Sequence, residues 1–323
     1  MALLEVRDLA VHYPVKTPLF ARKRFLKAVD GVSFSIDRGE IVGLVGESGC
    51  GKSTLGRALV KLENPTRGEI ILDGVDLASV KGKALRRMRR KFQMIFQDPY
   101  GSLNPRMTVF AALDEVIALH FDLPLKERRA KAMELLELVG LPPEVLDRYP
   151  HQFSGGQRQR IGIARALAAE PDLVVADEPV SALDVSVQAS IVNLLEDIQK
   201  SKNTAFLFIA HDLAVVEHIS DRILVMYLGN IVEEAPAAEL IANPLHPYTR
   251  TLLEAVPVLS ESGRVKPFNV PPADTVSQID VPAGCPFFPR CPIASERCRN
   301  EKPRLLPVGD GQHRCSCFSA QEK

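Results

Sequence analysis

Residues 46–54 decide the fold of this chain; they read Gly46-Glu47-Ser48-Gly49-Cys50-Gly51-Lys52-Ser53-Thr54. The spacing is GxxxxGK[ST], preceded by the apolar, strand-like run EIVGLVG (40–46) and followed by the helical pattern KSTLGRALVKL. Glycines let backbone N–H groups curl around phosphate oxygens, and a helix N-terminus adds partial positive charge. The strand–loop–helix context therefore predicts a phosphate-binding loop and argues against a glycine-rich turn without a ligand.

Two side chains of this loop and two acids downstream have predicted roles on a nucleotide. Lys52 is expected to contact the β- and γ-phosphates, and the Ser53 hydroxyl to bind Mg²⁺. A second apolar run, DLVVAD (172–177), ends at Asp177 and is followed by Glu178. An acid at a strand end can hold the Mg²⁺ shell, and the next one can activate water against the γ-phosphate. The alternative, a pair of acids that caps a loop, is disfavoured by the phosphate loop upstream.

The composition is that of an ordinary soluble globular protein, with 46% hydrophobic and 25% charged residues. Lys and Arg together number 40, as do Asp and Glu, and this zero net charge argues against non-specific nucleic-acid binding. The sequence has no apolar run of the ~18–20 residues that span a bilayer, and its first residues lack a signal-peptide pattern. We expect a cytoplasmic protein whose membrane role comes through a partner.

Strand-like and helix-like segments alternate over the first ~235 residues, which predicts an α/β fold with a largely parallel sheet. Further strand and helix patterns are TAFLFIAH (204–211), the apolar stripes Ile191-Leu194-Leu195-Ile198 and Ile161-Ala164-Ala168, and a hairpin, RILVMYLGNIVEEA, that turns at Gly229-Asn230. We predict a nucleotide-binding domain over residues 1–255 with an inserted helical subdomain at about 98–155. A C-terminal extension, 256–323, holds ten of the 24 prolines and five of the six cysteines.

Further motifs make the chain resemble the ATP-binding cassette (ABC) ATPases over about residues 4–255. Phe153-Ser154-Gly155-Gly156-Gln157 is similar to their signature motif, with Phe where Leu is more usual, and it opens a predicted helix. Serine and two glycines at a helix N-terminus make a second anion site. In the family, the signature of one subunit covers the γ-phosphate held by the phosphate loop of another. The resemblance therefore implies that ATP binds between two cassettes.

Four other positions carry this resemblance residue by residue. Gln97, in IFQDP, resembles the glutamine that senses Mg²⁺ and the attacking water, and Asp184, in Ser181–Asp184, resembles the acid of the D-loop. Asp184 is also a candidate N-cap of the helix that follows it. His211 resembles the switch histidine that contacts the γ-phosphate, so that Glu178, His211 and Gln97 are the predicted catalytic residues. Tyr13 resembles the aromatic residue that stacks on adenine.

Within this family the sequence is similar to the dipeptide, oligopeptide and nickel importer ATPases. The similarity lies in FQDPYGSLNPRM (96–107), in NPLHPYTRTLLEAVP (243–257) and in a cysteine-rich tail. Some members hold a [4Fe–4S] cluster in such a tail, which implies the ligands Cys285, Cys291, Cys298 and Cys317. Cys315 is an extra thiol that leaves the fourth ligand open. Zinc, or no metal, are the alternatives, since four thiolates suit either metal but the spacing is not that of a zinc ribbon.

The resemblance implies the ATPase subunit of an ABC importer for di- or oligopeptides at the cytoplasmic face of the membrane. Its cofactors would be ATP, Mg²⁺ and the cluster. Its partners would be a second ABC ATPase chain, different from this one, two integral-membrane permease subunits and an external substrate-binding protein, with no nucleic acid. Alternatives are the same role for nickel or another small solute, a soluble ABC ATPase that acts on nucleic acid or ribosomes, and a cluster-based regulator.

A basic segment, KTPLFARKRFLK (16–27), interrupts two strand-like runs near the N-terminus. Charge runs are usually solvated, so we expect a surface loop. The alternative is contact with lipid headgroups or with a membrane subunit.

Overall fold

Strands and helices alternate along the chain in the computed structural model, which describes residues 2–16, 23–181, 183–254, 279, 283–309 and 311–322. The strands are β1 (Ala2–Val15), β2 (Arg24–Asp37), β3 (Ile41–Val45), β4 (Arg67–Leu72), β5 (Val75–Asp76), β6 (Phe92–Ile95), β7 (Leu173–Asp177), β8 (Ala205–Ile209), β9 (Arg222–Tyr227), β10 (Asn230–Pro236), β11 (Leu306–Val308) and β12 (His313–Cys315). The predicted α/β class is confirmed.

The helices fall between these strands. The α-helices are α1 (Lys52–Leu59), α2 (Gly82–Met88), α3 (Pro99–Ser102), α4 (Val109–His120), α5 (Leu125–Leu138), α6 (Gly155–Leu167), α7 (Val185–Lys202), α8 (Leu213–Ile219), α9 (Ala237–Ala242), α10 (Pro247–Glu254), α11 (Glu296–Asn300) and α12 (Phe318–Gln321). Short 3₁₀ helices are Pro143–Asp147, Pro150–Gln152 and Phe288–Arg290. Among the described residues, no helix is long and apolar enough to cross a membrane.

The chain divides into two compact units. The first unit comprises Met1–Leu4, Ile36–Ile41 and Leu72–Ile209. The second comprises Glu5–Ser35, Val42–Ile71 and Ala210–Lys323.

In the first unit, three neighbouring strands of the larger sheet run parallel, with β7 between β6 and β8. All residues of β7 and β8 are buried, as the continuous apolar runs of a parallel sheet predict. The predicted stripes on α6 and α7 are buried as well, including Ile161, Ala164, Ile191 and Ile198. Between Pro99 and Gln152 the regular elements are all helical; the boundaries 98–155 of a separate subdomain remain a prediction.

In the second unit, β3 pairs in parallel with β9, and β10 returns antiparallel beside β9. The predicted hairpin thus forms, but its turn lies at Leu228 and Gly229, one residue earlier than the predicted Gly229-Asn230. A second sheet has β1 between β2 and β4. In the basic segment 16–27, residues 17–22 lie outside the described residues, and Arg24–Lys27 belong to β2 instead of a loop.

The cysteine-rich tail adds two strands to the sheet of the second unit, which the sequence did not predict. β12 pairs with β10, placing Cys315 opposite Glu233, and β11 pairs with β12. The tail also buries apolar side chains, among them Phe287 and Cys315. Sheet pairing and apolar burial therefore both stabilise the described part of this tail.

Candidate active site

The predicted phosphate loop joins β3 to α1, with Gly51 at the N-cap of the helix. Gly51 has a φ of 112°, in the region that side chains rarely adopt. A Cβ at this position would lie 1.9 Å from the carbonyl oxygen of Ala28 and 3.0 Å from the Cε of Met226. Only glycine therefore allows the chain to turn into α1 while it lies against the backbone of β2.

The Lys52 side chain folds back into this loop, and only 4% of the residue is exposed. Its ammonium donates hydrogen bonds to the carbonyl oxygens of Gly46 (2.7 Å) and Glu47 (3.1 Å). The Cys50 sulfur lies 3.9 Å from the same nitrogen. Burial raises the pKa of Cys50, so this thiol stays protonated.

Residues from distant parts of the chain hold the loop from outside. The Glu47 N–H donates to the hydroxyl of Tyr248 at 2.8 Å, and the Gly229 N–H donates to the Cys50 carbonyl at 2.9 Å. Burial raises the pKa of Tyr248 above its ordinary value, which keeps the hydroxyl neutral. The sequence did not predict this contact, for which the His246-Pro247-Tyr248 run was the only signal.

Tyr13 lies at the end of the same loop, where its hydroxyl interacts with Thr54 and Glu63. Burial raises its pKa, and the charge of Glu63 raises it further. The ring is only partly buried. Tyr13 thus lies near Thr54, the last residue of the loop, and its stacking on adenine remains a prediction.

In the first unit, the structure brings two of the predicted catalytic residues together. Asp177 is buried at the end of β7, and Glu178 follows it. The amide nitrogen of Gln97 donates to a Glu178 carboxylate oxygen at 2.9 Å. Glu178 has a φ of 47° and is held there because its N–H donates to the Ile209 carbonyl at 2.9 Å. A left-handed conformation costs a non-glycine residue about 1–3 kcal/mol and is typical of functional positions.

The predicted signature forms a capped helix start. Ser154 is the N-cap of α6; its hydroxyl accepts the Gln157 N–H, and the Gln157 side chain accepts the Ser154 N–H. The first N–H groups of a helix lack partners within the helix and attract anions. Gly156 packs closely on α7, since a Cβ there would lie 2.5 Å from the Val187 Cγ1. The start of α6 is therefore closely defined by capping and packing, and its role as an anion site remains a prediction.

The remaining predicted positions differ in outcome. Asp184 occupies the N-cap position of α7 as predicted, but its side chain makes no capping hydrogen bond, so that structural role is not observed. His211 is exposed between β8 and α8. The residue before it, Ala210, donates its N–H to the Leu44 carbonyl of β3 at 3.2 Å. His211 is therefore tied to the strand that leads into the phosphate loop.

A small cavity of about 140 Å³ lies beside β6 in the first unit. It is lined by Phe96, Gln159 and Arg165 among others. Among the described residues, the Gln159 amide nitrogen and the Arg165 Nε are buried without a hydrogen-bond partner. Buried unpaired donors are uncommon, and an ordered water in this cavity would give them an acceptor.

Four of the five tail cysteines line one cavity of about 240 Å³; they are Cys285, Cys291, Cys298 and Cys317. Burial, and to a smaller extent the neighbouring thiols, raise the pKa of Cys285 to about 11. Cys315 is fully buried in β12 and is not among the residues that line this cavity. Among the described residues, no group of three or more His, Cys, Asp or Glu is arranged to hold a metal ion. The metal predicted for this tail is therefore not shown.

The chain matches the family model described as ABC transporter over residues 29–181, and that described as the oligopeptide/dipeptide transporter C-terminal region over residues 232–298. It is 50% identical to the oligopeptide transport ATP-binding protein AppF of Bacillus subtilis, covering 94% of this chain and 93% of AppF. It is 48% identical to the dipeptide transport ATP-binding protein DppF of Haemophilus influenzae, over 98% of this chain and 96% of DppF.

Two solved structures have the same fold. The ATP-binding cassette MJ0796, in a dimeric post-hydrolysis state bound to ADP and Pi, has a TM-score of 0.65 at 29% identity and covers 72% of this chain and 98% of its own. The cbiO1 protein of Clostridium perfringens is part of the ABC transporter complex cbiONQ. It has a TM-score of 0.66 at 28% identity, and the match covers 75% of this chain and 91% of cbiO1.

Fold and phosphate loop together define the class, an ATP-hydrolysing cassette. The chain belongs to the ATP-binding proteins of oligopeptide and dipeptide ABC transporters. ATP is accordingly its substrate, and Mg²⁺ is the expected metal of the reaction.

Proposed function

We propose that this chain energises the uptake of di- or oligopeptides, as one of two ATPase subunits attached to a membrane permease at its cytoplasmic face. The observation that carries the proposal is the match of residues 232–298 to the oligopeptide/dipeptide transporter C-terminal region. The relatives at about half identity over most of the chain are named for peptide transport, which favours peptide over nickel or another solute.

The residues of the phosphate loop would bind ATP. Lys52 already donates to two loop carbonyls, and its charge would move to the β- and γ-phosphates when these arrive. Ser53, Asp177 and Gln97 would supply hydroxyl, carboxylate and amide oxygens, the ligands that Mg²⁺ prefers. The Gln97 nitrogen donates to Glu178 in this structure, which leaves the amide oxygen for the metal.

Glu178 would act as the general base. Its carboxylate is held by Gln97, and its backbone is fixed in a left-handed conformation at the end of β7. His211 would contact the γ-phosphate from the position between β8 and α8. The helix start at Ser154, Gly155, Gly156 and Gln157 would cover the γ-phosphate of a second cassette, with Asp184 nearby in the D-loop. Closure of the two cassettes on ATP would then precede hydrolysis.

The groove between the core and the helical subdomain, near Gln97, would receive a helix of the permease. The cavity of about 140 Å³ lined by Phe96, Gln159 and Arg165 is too small for a helix and lies beside β6. Because β6 leads directly to Gln97, a helix seated beside β6 would lie near the residue that contacts Glu178. Such a contact would link ATP hydrolysis to the transport path.

The variant Glu178→Gln tests the ATPase assignment. We expect hydrolysis to fall by about 10²–10⁴-fold, the usual contribution of a general base, while ATP binding persists and traps a closed dimer. Glu144→Gln, at an exposed position of the first unit, is the matched control and should hydrolyse ATP at the wild-type rate. A normal rate in Glu178→Gln would remove Glu178 from the catalytic role.

The identity of the transported solute is tested separately, in cells of the organism that makes this protein. Uptake of radiolabelled trialanine and of radioactive nickel is measured with the wild-type chain and with Glu178→Gln. Peptide uptake that depends on the active chain supports the proposal. Nickel uptake that depends on it, without any effect on the peptide, would overturn the cargo while leaving the ATPase in place.

We also propose a [4Fe–4S] cluster bound by Cys285, Cys291, Cys298 and Cys317. The support is that these four thiols line one cavity, whereas Cys315 does not line it and is fully buried. A cubane cluster needs four thiolates, one for each iron, and would add covalent links within the tail. The test is iron and sulfide analysis of protein purified without oxygen. About four irons and four sulfides per chain are expected; zinc alone, or no metal, would refute the cluster.

A further inference from the structure

An ion pair joins the cysteine-rich tail to the phosphate loop within the second unit. The two terminal nitrogens of Arg290 donate to the two carboxylate oxygens of Glu47, each at 2.9 Å. Arg290 lies in the short 3₁₀ helix between Cys285 and Cys291, and Glu47 is the second residue of the phosphate loop. Bidentate arginine–carboxylate pairs are both strong and geometrically specific.

Aromatic rings hold the Arg290 side chain in place. Its guanidinium lies 5.8 Å from the ring centre of Tyr227 and 5.6 Å from that of Phe287. Tyr227, Phe287 and Tyr248 pack on one another, with ring centres 4.5–5.5 Å apart. Only 17% of the Arg290 side chain is exposed.

The Arg290–Glu47 ion pair lies at a residue whose backbone makes two further hydrogen bonds of the phosphate loop. The carbonyl oxygen of Glu47 accepts a hydrogen bond from Lys52 at 3.1 Å, and its N–H donates to Tyr248. The orientation of Glu47 therefore bears directly on the loop backbone. Its carboxylate is also a negative charge beside a site for a polyanion, and a like charge at short range disfavours the bound phosphates. Arg290 neutralises that charge.

We propose that Arg290 is a positioning residue for ATP binding, which orients and neutralises Glu47 and thereby lowers the KM for ATP without contributing to the hydrolysis step. The cysteine-rich tail is then part of the nucleotide site. Any change that displaces the segment between Cys285 and Cys291 would weaken ATP binding through this one side chain.

The test compares full-length wild type, Arg290→Ala, Glu47→Gln and the double variant in steady-state ATP hydrolysis. Arg290→Ala should raise the KM by about tenfold, since an unpaired carboxylate is left beside the phosphates, with kcat within about twofold of wild type. The double variant should recover a KM well below that of Arg290→Ala, because the repelling charge has gone. High salt should reduce the defect of Arg290→Ala by screening the same charge.

Arg314→Ala is the matched control. It removes another arginine of the tail, which pairs with Glu234 at 2.8 Å, and Glu234 keeps Arg222 as a partner. Its KM should equal that of wild type. A double variant as defective as Arg290→Ala would show that Arg290 acts only through folding, and an unchanged KM in Arg290→Ala would likewise overturn the proposal.

Discussion

Tyr248 and Thr249 carry neighbouring buried hydroxyl groups in α10. Removal of the first should lower the free energy of unfolding, and removal of the second should raise it. Both residues are fully buried. The Tyr248 hydroxyl accepts the Glu47 N–H at 2.8 Å. The Thr249 hydroxyl has no hydrogen-bond partner in the described part of the chain. The variants Tyr248→Phe and Thr249→Val each delete one hydroxyl and leave the rest of the side chain nearly unchanged in shape.

The magnitudes follow from hydrogen-bond energetics. Tyr248→Phe deprives a loop N–H of its acceptor, which costs about 1–3 kcal/mol of unfolding free energy. Thr249→Val removes a polar group that is buried without compensation, so it should stabilise the protein by about 1 kcal/mol. One kcal/mol corresponds to roughly 2–4 °C in the midpoint of thermal unfolding for a unit of this size. Tyr248→Phe should therefore melt several degrees below wild type, and Thr249→Val a few degrees above it.

The change in the midpoint of thermal unfolding is measured by circular dichroism. Steady-state ATP hydrolysis measures a second effect, the change in the KM for ATP. Because Tyr248 holds the backbone of the phosphate loop, Tyr248→Phe should also raise the KM for ATP several-fold, by the loss of one hydrogen bond worth about 1 kcal/mol. Thr249→Val should leave the KM as in wild type. Equal melting of Tyr248→Phe and wild type, or a lower midpoint for Thr249→Val, would refute this reasoning.

Other variants test the loop and the tail. Gly51→Ala should abolish ATP binding in a fluorescent-nucleotide titration, because its Cβ would lie 1.9 Å from the Ala28 carbonyl oxygen. Gly74→Ala also has a positive φ but no atom within 4 Å of the added Cβ, so it should bind ATP normally and cost only about 1 kcal/mol of stability. Cys317→Ala should lose most of the iron of anaerobically purified protein, whereas Cys315→Ala, outside the residues lining the thiol cavity, should retain it. Equal iron in both cysteine variants would exclude Cys317 as a ligand.

Local patterns in the sequence were sufficient for the core strands and for the start of α1. The runs around Val42, Val174 and Phe206 are continuously apolar because both faces of a parallel sheet are covered, and this shows in any short window. The phosphate loop is equally local, since its glycines, lysine and serine lie within nine residues. The capping box of Ser154 and Gln157 spans four residues and is likewise local.

The tail shows where local patterns fail. Its strands are three residues long, too short for periodicity to be seen. β12 forms because β10 offers an edge to pair with. Glu233, fully buried in β10, is satisfied by the N–H groups of Leu245 and His246 and by the ring of His313. A buried carboxylate is stable only with such partners, and they come from two distant segments.

The sequence by itself therefore determined the class of the protein, because a phosphate loop, a signature and apolar strands are each encoded within a dozen residues or fewer. Only the tertiary structure decided what surrounds these motifs. The contact of Gln97 with Glu178 joins residues 81 positions apart, and that of Arg290 with Glu47 joins residues 243 apart. Contacts over such separations depend on how the whole chain packs, and no local spacing specifies which arginine or which cysteine of the tail meets the loop or the cavity.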